Sequence, residues 1–379
     1  MESDLSKDTF LSHFEESFGH ISDPRQSKKA HHPLMNILLI GFCTILCGGT
    51  TWRDMELFGY SRRDFLENLL DLSSGIPTND TFRRVFSRLS ALEVEGCFRQ
   101  WIKASYGELV PGDTLSIDGK ALRATREKHA KHWTHLVHVW CEDLGVCLAQ
   151  LKTDKKSNEI TAIPTLIKSL SIKDCVVSID AMGCQHEIAA SILEKEADYL
   201  LCVKDNQAGL AAQVEKLFEI QQADDQIETL EKGHGRIESR KAEVITKLKW
   251  MDLDEKWEKA AIQSVVKITS AREIKAKKTQ EQRYYICSYQ PSAQDALKRV
   301  RGHWGIENKL HWQLDVSFSE DQIGIKKGFA DENLAIFRKM ALHLLKHGPY
   351  AKGGIKRRMN KAAWDEEYLL DLILNLGYL

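Results

Sequence analysis

Apolar positions over the first hundred residues recur every three or four, the helical period. The period is clear over 35–48, from Arg62 to Leu70 and from Phe82 to Leu89. Thr51, with Asp54 three residues on, predicts a capped helix start, and Gly75–Thr81 predicts a loop and cap. Phe82, Val85, Phe86 and Leu89 fall on one face of the last helix, which leaves Arg83, Arg84 and Arg88 on the other. From residue 112 the period shortens to two. Thr114–Asp118, His135–Cys141 and Val146–Leu151 read as three strands joined by tight turns such as Glu142–Gly145, most simply an antiparallel meander. A helix over Glu159–Leu170 capped by Asn158, a strand Cys175–Ile179, a helix Glu187–Glu196 and a strand Tyr199–Val203 follow. Three strands and then alternating helix and strand describe an α/β fold: a mixed sheet with flanking helices.

After Val203 that rhythm stops. A helix over Gly209–Ile220 leads into a polar run, Gln221–Glu231. Strands at Ile237–Ile245, Ala260–Thr269 and Gln282–Ser288, with a Lys-rich hairpin at Lys275–Lys278, then read as a β-rich insertion. From Asp295 the chain is helical again. The expected organisation is therefore an all-helical N-terminal domain (1–108), a first part of the core (109–220), the insertion (221–292), and a second part of the core with a helical C-terminus (293–379).

Composition narrows the classes. A chain of 379 residues with 43% apolar content can bury more than one ordinary core, and a net charge of −1 excludes a uniformly basic coat. The charge is uneven: arginines at 62, 63, 83, 84, 88 and 99 load the early chain, and Lys352, Lys356, Arg357, Arg358 and Lys361 load the end. Such clusters are ordinary solvated faces or phosphate-gripping surfaces. The nine cysteines form no Cys-x-x-Cys pair and sit mostly in apolar runs, which fits reduced, buried thiols in a cytoplasmic protein. The apolar run Met35–Cys47 is shorter than the ~20 residues that span a bilayer and reads as a buried core helix, so no membrane partner is expected.

The chemistry lies in acids at the ends of two strand-like runs, Leu115-Ser116-Ile117-Asp118-Gly119 and Val176-Val177-Ser178-Ile179-Asp180. A third, Glu307, stands in the helical His303-Trp304-Gly305-Ile306-Glu307-Asn308. Brought together, three carboxylates make a ligand set for hard divalent cations, and Gly119 lets another group approach the backbone closely. Other readings of the same residues stay open. Each aspartate on its own could be a turn former. His303, Glu307 and His311 share one helix face and could bind zinc. Asp113, Asp143 and Asp154 are competing acids in turns, and Asp315 should point elsewhere on the helix. Trp133, Trp140, Trp250 and Trp312 read as core. The Arg83, Arg84 and Arg88 face, fed by a short turn, fits a helix-turn-helix reader of DNA or an ordinary solvated face.

Five stretches in order resemble one family: Ser116–Lys120, Ser157–Ile160, Asp180–Gln185, Val203–Gln207 and His303–Asn308. From about Asp23 to the C-terminus the chain looks like the DDE transposases of bacterial insertion sequences, in the subgroup that includes the H-repeat-associated proteins. The resemblance implies a ribonuclease-H-like core interrupted by the β-rich insertion, and the triad Asp118, Asp180 and Glu307 as catalytic residues and ligands for Mg²⁺ or Mn²⁺, two ions. It implies double-stranded DNA, terminal repeats and target, as partner. Lys120, Lys204, Asn206 and Gln207 belong to motifs near that site, and Trp304 matches a tryptophan that lies close to the DNA end in relatives. Arg236 belongs to a motif opening a strand of the insertion. Where related enzymes place a tyrosine, an arginine and a lysine for handling the DNA terminus, this chain has Val300, His303 and Leu314. Arg299, Arg301 and Lys309 are the substitutes at hand for phosphate contact.

The function expected is a DNA transposase that cuts at its element's ends and joins them to target DNA, as a homodimer in the bacterial cytoplasm at the nucleoid. A catalytically decayed relative that only binds DNA, or a metal nuclease unconnected with transposition, would share much of this sequence.

Overall fold

The computed structural model describes residues 14–126, 133–153, 159–233, 235–274, 277–348 and 352–374. Asp154, Asn158 and part of the Lys275–Lys278 hairpin, all noted in the sequence, lie outside the described residues.

Five helices open the chain: α1 (Leu34–Leu46), α2 (Trp52–Ser61), α3 (Arg63–Glu67), α4 (Asn79–Arg88) and α5 (Ala91–Tyr106). The start of α2 is the capping box that Thr51 and Asp54 predict: Thr51 accepts from the Asp54 amide, and the Asp54 carboxylate accepts from the Thr51 amide at 2.8 Å. Two local expectations change. The predicted helix over Arg62–Leu70 is only α3, and residues 68–78 separate it from α4, far more than the three or four residues of a helix-turn-helix turn. The faces of α4 are nonetheless as its period predicts, with Phe82, Val85 and Phe86 buried and Arg84 and Arg88 exposed.

A nine-stranded sheet follows, in the order β3-β2-β1-β4-β5-β9-β8-β7-β6. The meander is β1 (Thr114–Leu122), β2 (Thr134–Cys141) and β3 (Val146–Lys152). Helix α6 (Glu159–Lys168) crosses to β4 (Val176–Ile179), and α7 (His186–Leu193) crosses to β5 (Asp198–Val203). Strand β4 pairs parallel with both β1 and β5, so it is buried on both sides and reads as a continuous apolar run.

After α8 (Ala208–Ile220) come β6 (Asp225–Gly233) and β7 (Arg236–Ile245), the short helix α9 (Glu255–Glu258), β8 (Ser264–Ile274) and β9 (Lys277–Cys287). The insertion is thus β-rich, but it continues the same sheet, because β9 pairs antiparallel with β5. Strand β6 occupies the segment read as a polar run. Most of its residues are exposed on both faces, so no alternation marks it. Trp133, Trp250 and Trp312, expected in the core, are 45–74% exposed, since they sit beside turns or on an outer helix face; Trp140 alone of the four is buried.

Helix α10 (Ala293–Gly305) lies across β1, β4 and the insertion strands and closes one face of the sheet through Ala293, Ala296, Leu297 and Val300. The chain then passes through α11 (Trp312–Val316) to α12 (Ala330–His347), α13 (Ile355–Trp364) and α14 (Glu366–Leu374). Helix α12 is buried along almost its whole length, against α1, α4 and α5 on one side and β3 on the other. Its Phe337 ring meets Phe86 at 5.3 Å, Phe18 at 6.0 Å and Phe42 at 6.1 Å. The helical region therefore shares one continuous core with the sheet.

A cavity at that aromatic junction would loosen both regions together. Phe337→Ala is expected to cost about 3–5 kcal/mol and to leave a single urea transition, whether followed by helix content or by tryptophan fluorescence. Two separated transitions would show that the helical region folds apart from the sheet.

Candidate active site

The site forms where the parallel pairing of β1 and β4 stops. The last registered pair is Ile117 with Ile179, and Asp118 and Asp180 are the next residues on each strand. Asp180 ends β4 and turns the chain: its Oδ1 accepts from the Met182 amide at 3.1 Å and the Gly183 amide at 3.4 Å. Asp118 does not end its strand. Strand β1 runs on to Leu122 along β2, so Asp118 is held mid-strand with the β4 side open. Its Oδ1 accepts from the Gly119 amide at 2.8 Å.

Glu307 is carried by the segment that follows α10, which packs on β1, and its charge acts on Asp118. At Ile306–His311 the helix widens into a π-helical segment, a local irregularity that recurs at functional sites. Glu307 is exposed there, with Ile306 and Leu310 anchored in the core. The widened turn also places His311, whose Nδ1 stands 3.6 Å from Asp118 Oδ2 and whose Nε2 is 2.9 Å from Nδ1 of the buried His138 on β2. Burial keeps both rings neutral, with His311 lowered to about 3 and His138 also well below the ordinary histidine range. Neither His138 nor a histidine beside Asp118 is legible in the sequence. Both spacings become visible only once the register of β1 against β2 is known, which pairs Asp118 with His138.

Electrostatics tie the acids together. Burial raises Asp118 to about 7, and the charges of Glu159, Asp180 and Glu307 add to the effect. Glu159, the first residue of α6, stands out in the sequence only as part of a motif. Its Oε1 is 2.6 Å from His135 Nε2. Among the described residues no three histidine, cysteine, aspartate or glutamate side chains are gathered as a ready-made metal cage. The donor set is nevertheless all hard oxygen around Asp118, which fits Mg²⁺ or Mn²⁺, ions that keep waters and take substrate oxygens. The zinc reading does not fit. Among the described residues His303, Glu307 and His311 are not gathered as a ligand group, and His311 is engaged with His138.

The remaining expected residues divide. Lys120 is 6% exposed and buried among Asp315 (2.6 Å), Asp321 (3.2 Å) and Glu320 (3.7 Å), so its charge is spent inside the fold rather than offered to phosphate. Asn206 donates to the Ala181 carbonyl at 2.6 Å and Gln207 to the Cys184 carbonyl at 3.0 Å, which ties down the turn after Asp180, while Lys204 is exposed. Arg301 clamps Glu231 of β6 at 2.6 and 3.2 Å, and Arg236 pairs with Glu238 at 2.8 Å. Lys309 pairs with Glu142, and Arg299 is bound to Asp295 and to the Gly112 carbonyl. Trp304 is 41% exposed, with the Arg283 guanidinium 4.8 Å from its ring centre. His303 is half-buried, its Nδ1 without a partner. Val300 and Leu314 are buried core residues and can offer nothing to a DNA end. A cleft of about 520 Å³ along α10 is lined by Lys298, Arg301, Trp304, Asn308, Lys309 and Thr229, and Glu307 is not part of its lining. Arg83 and Arg84 both reach Asp80 at 2.7 Å, and Arg88 is exposed near the end of α4.

Residues 15–102 match a DDE_Tnp_1-associated region and residues 111–344 match the transposase DDE domain. The chain belongs to the DDE transposase family. It is 37% identical to a putative transposase, YncI, of Escherichia coli O157:H7, over 95% of this chain and 94% of that protein. It is 36% identical to the H repeat-associated putative transposase YhhI of Escherichia coli strain K12, over 94% of this chain and 96% of that one. A 72-residue stretch, 18% of this transposase-family chain, is 43% identical to an inactive transposase, YbfQ, of the same strain, covering 86% of that protein. No helix among the described residues is long and apolar enough to cross a membrane.

The crowding of carboxylates has a measurable sign. A carboxyl whose folded pKa is raised to about 7 contributes stability below its ordinary value near 3.8, and that stability is lost as pH rises through about 7. In EDTA, Asp118→Asn should therefore be more stable to unfolding than wild type at pH 8, by a few kcal/mol at most. The gain should disappear near pH 4. An equal gain at both pH values would mean that Asp118 carries no such burden.

Proposed function

We propose that this protein is a DNA transposase that cleaves at the ends of its element and transfers the strands to target DNA, with Asp118, Asp180 and Glu307 as its catalytic acids. The observation that carries this reading is the end of the β1–β4 pairing, where Asp118 and Asp180 follow side by side and the charge of Glu307 acts on Asp118 from a widened helix. The strand order β3-β2-β1-β4-β5, with β2 antiparallel to its neighbours, supports a ribonuclease-H-like core (109–220 and 293–379) extended by the insertion and preceded by the helical region.

Asp118, Asp180 and Glu307 would hold two Mg²⁺ or Mn²⁺ ions, which when bound activate the attacking oxygen and stabilise the leaving one. The chain's own residues do the positioning. The Gly119 amide fixes one oxygen of Asp118, and the turn amides fix one oxygen of Asp180. Asn206 and Gln207 hold that turn in place. The neutral His138–His311 pair packs beside Asp118 without adding a cation that would compete for its charge. Trp304 with Arg283, the cleft cations Lys298 and Lys309, and the exposed Lys204 form a rim on which a DNA strand can lie, with stacking and phosphate contacts both available. The α4 arginines offer a second, distant phosphate surface. Cutting two ends in concert makes a homodimer on DNA the natural assembly.

A decayed, DNA-binding protein is the second reading. It is favoured by the buried Val300 and Leu314 at positions where relatives handle the DNA terminus. Nicking of a plasmid that carries the DNA flanking this gene separates the readings. Metal-dependent cuts at the element's ends, lost in Asp118→Asn, are expected. Scattered cuts would indicate a general nuclease, and specific retention without cutting a decayed enzyme. Replacing Arg83, Arg84 and Arg88 together by glutamine should weaken DNA binding and lower the slope of log affinity against log salt, by about one for each phosphate that these arginines neutralise. An unchanged slope would remove α4 from the interface.

A further inference from the structure

Beside Asp118 stands a fourth acid that the triad leaves out. In β1, Ile117 and Gly119 face the α6 side of the sheet, and α6 opens on Glu159. Gly119 provides the room: a Cβ there would stand 2.0 Å from Glu159 Oε1 and 2.4 Å from His135 Nε2. The missing side chain of residue 119 is thus filled by the Glu159–His135 pair, which comes onto the β1 backbone at the residue next to Asp118. A glycine inside a strand weakens it and marks a close approach, and here the group admitted is a carboxylate.

A packing contact alone does not account for this choice. The Glu159 side chain is 14% exposed, and it adds a like charge next to Asp118, which destabilises the metal-free fold. A neutral residue of the same shape would pack without that penalty. His135 lies on β2, reaches Glu159 Oε1 at 2.6 Å and so fixes the direction of the carboxylate. This arrangement, an acid oriented by a histidine from a neighbouring strand, is of the kind that sets metal ligands in place.

We propose that Glu159 is a fourth carboxylate of the divalent-cation site, sharing a cation with Asp118, and that His135 is its positioning residue. The inference rests on the proposed metal site and adds to it a donor from α6, on the opposite side of β1 from Glu307. Each cation would then be approached by acids from both faces of the sheet edge.

The test measures metal binding rather than turnover. Full-length protein is titrated with Mn²⁺ by equilibrium dialysis, without DNA, and melted in EDTA and in excess Mn²⁺. Wild type is run beside Glu159→Gln, His135→Gln and Asp118→Asn. Glu159→Gln is expected to weaken Mn²⁺ binding by about tenfold or more and to lose most of the rise in melting temperature that Mn²⁺ gives wild type, while melting no lower than wild type in EDTA. His135→Gln, which keeps both carboxylates, should show a smaller loss of affinity. Wild-type affinity in Glu159→Gln with a loss in Asp118→Asn would overturn the inference and leave Glu159 a fold contact. Wild-type affinity in both would overturn the metal site itself. If Glu159→Gln does not fold, His135→Gln decides: weakened binding supports the assignment, and wild-type affinity overturns it.

Discussion

The parallel pairing of β1 with β4 is the constraint on which the rest of the site depends. Parallel strands cannot be joined by a tight turn, so the chain must make a long crossover between them, and α6 provides it. The two strands stay in register only from Thr114 with Val176 to Ile117 with Ile179. Beyond that point β4 bends away, capped by its own Asp180, while β1 continues along β2. One carboxylate is therefore fixed within a ladder and the other on a turn, both one residue past the last registered pair. Had β1 ended with β4, Asp118 would sit on a loop; had β4 run on, its side chains would close the space that the acids share.

Gathering carboxylates at such an edge is electrostatically unfavourable, and the nearby charges show where that repulsion is tolerated. Among the described residues three cations lie buried near the site, Lys120, Arg338 and Lys339, yet none is directed at its acids. Lys120 is held by Asp315 and Asp321, Arg338 by Glu320, and Lys339 by the Gln150 carboxamide. The histidines next to Asp118 are kept neutral by burial. Among the described residues the site acids thus face no competing buried cation, and their repulsion is left for an added cation to relieve. A fold optimised for stability alone would pair them. Leaving them unpaired is the usual trade between stability and activity.

What could be read from the sequence was what periodicity records. The alternation at Leu115 and Ile117, the apolar run before Asp180, the capping box at Thr51 and Asp54 and the buried face of α4 all appear where their patterns place them. The match to a transposase family was also legible, carried by short motifs rather than by composition. The misses have a common cause. Strand β6 is exposed on both faces, so its side chains leave no period to detect. Trp250 and Trp312 are apolar in type but lie outside the packed layers. Asp118 reads as a strand end because its apolar alternation stops there, although backbone pairing with β2 continues through Leu122. Glu159 beside Gly119, and His311 beside His138, are contacts between elements far apart in the chain. They follow from register and helix placement, which a linear pattern does not contain.

The insertion shows why so many residues can separate Asp180 from Glu307 without displacing either. Strand β5 is parallel to β4, and the insertion leaves from its end through α8. It begins at the far edge of the sheet with β6, steps inward through β7 and β8, and returns in β9, which pairs back onto β5 itself. Departure and return share one sheet position, so the added strands extend the sheet sideways rather than pushing the core apart. Helix α10 then leaves from β9 and is laid back over β1 and β4. Close approach is possible there because a Cβ on Gly305 would stand 2.1 Å from Glu142 Oε2 at the end of β2. The widened segment that follows carries Glu307 to the strand ends from a helix anchored on both the core and the insertion. The insertion strands are in this sense a second support for the third acid: Arg301, six residues ahead of Glu307, grips Glu231 of β6, so a shift of that hairpin would be felt first in the helix that carries the glutamate.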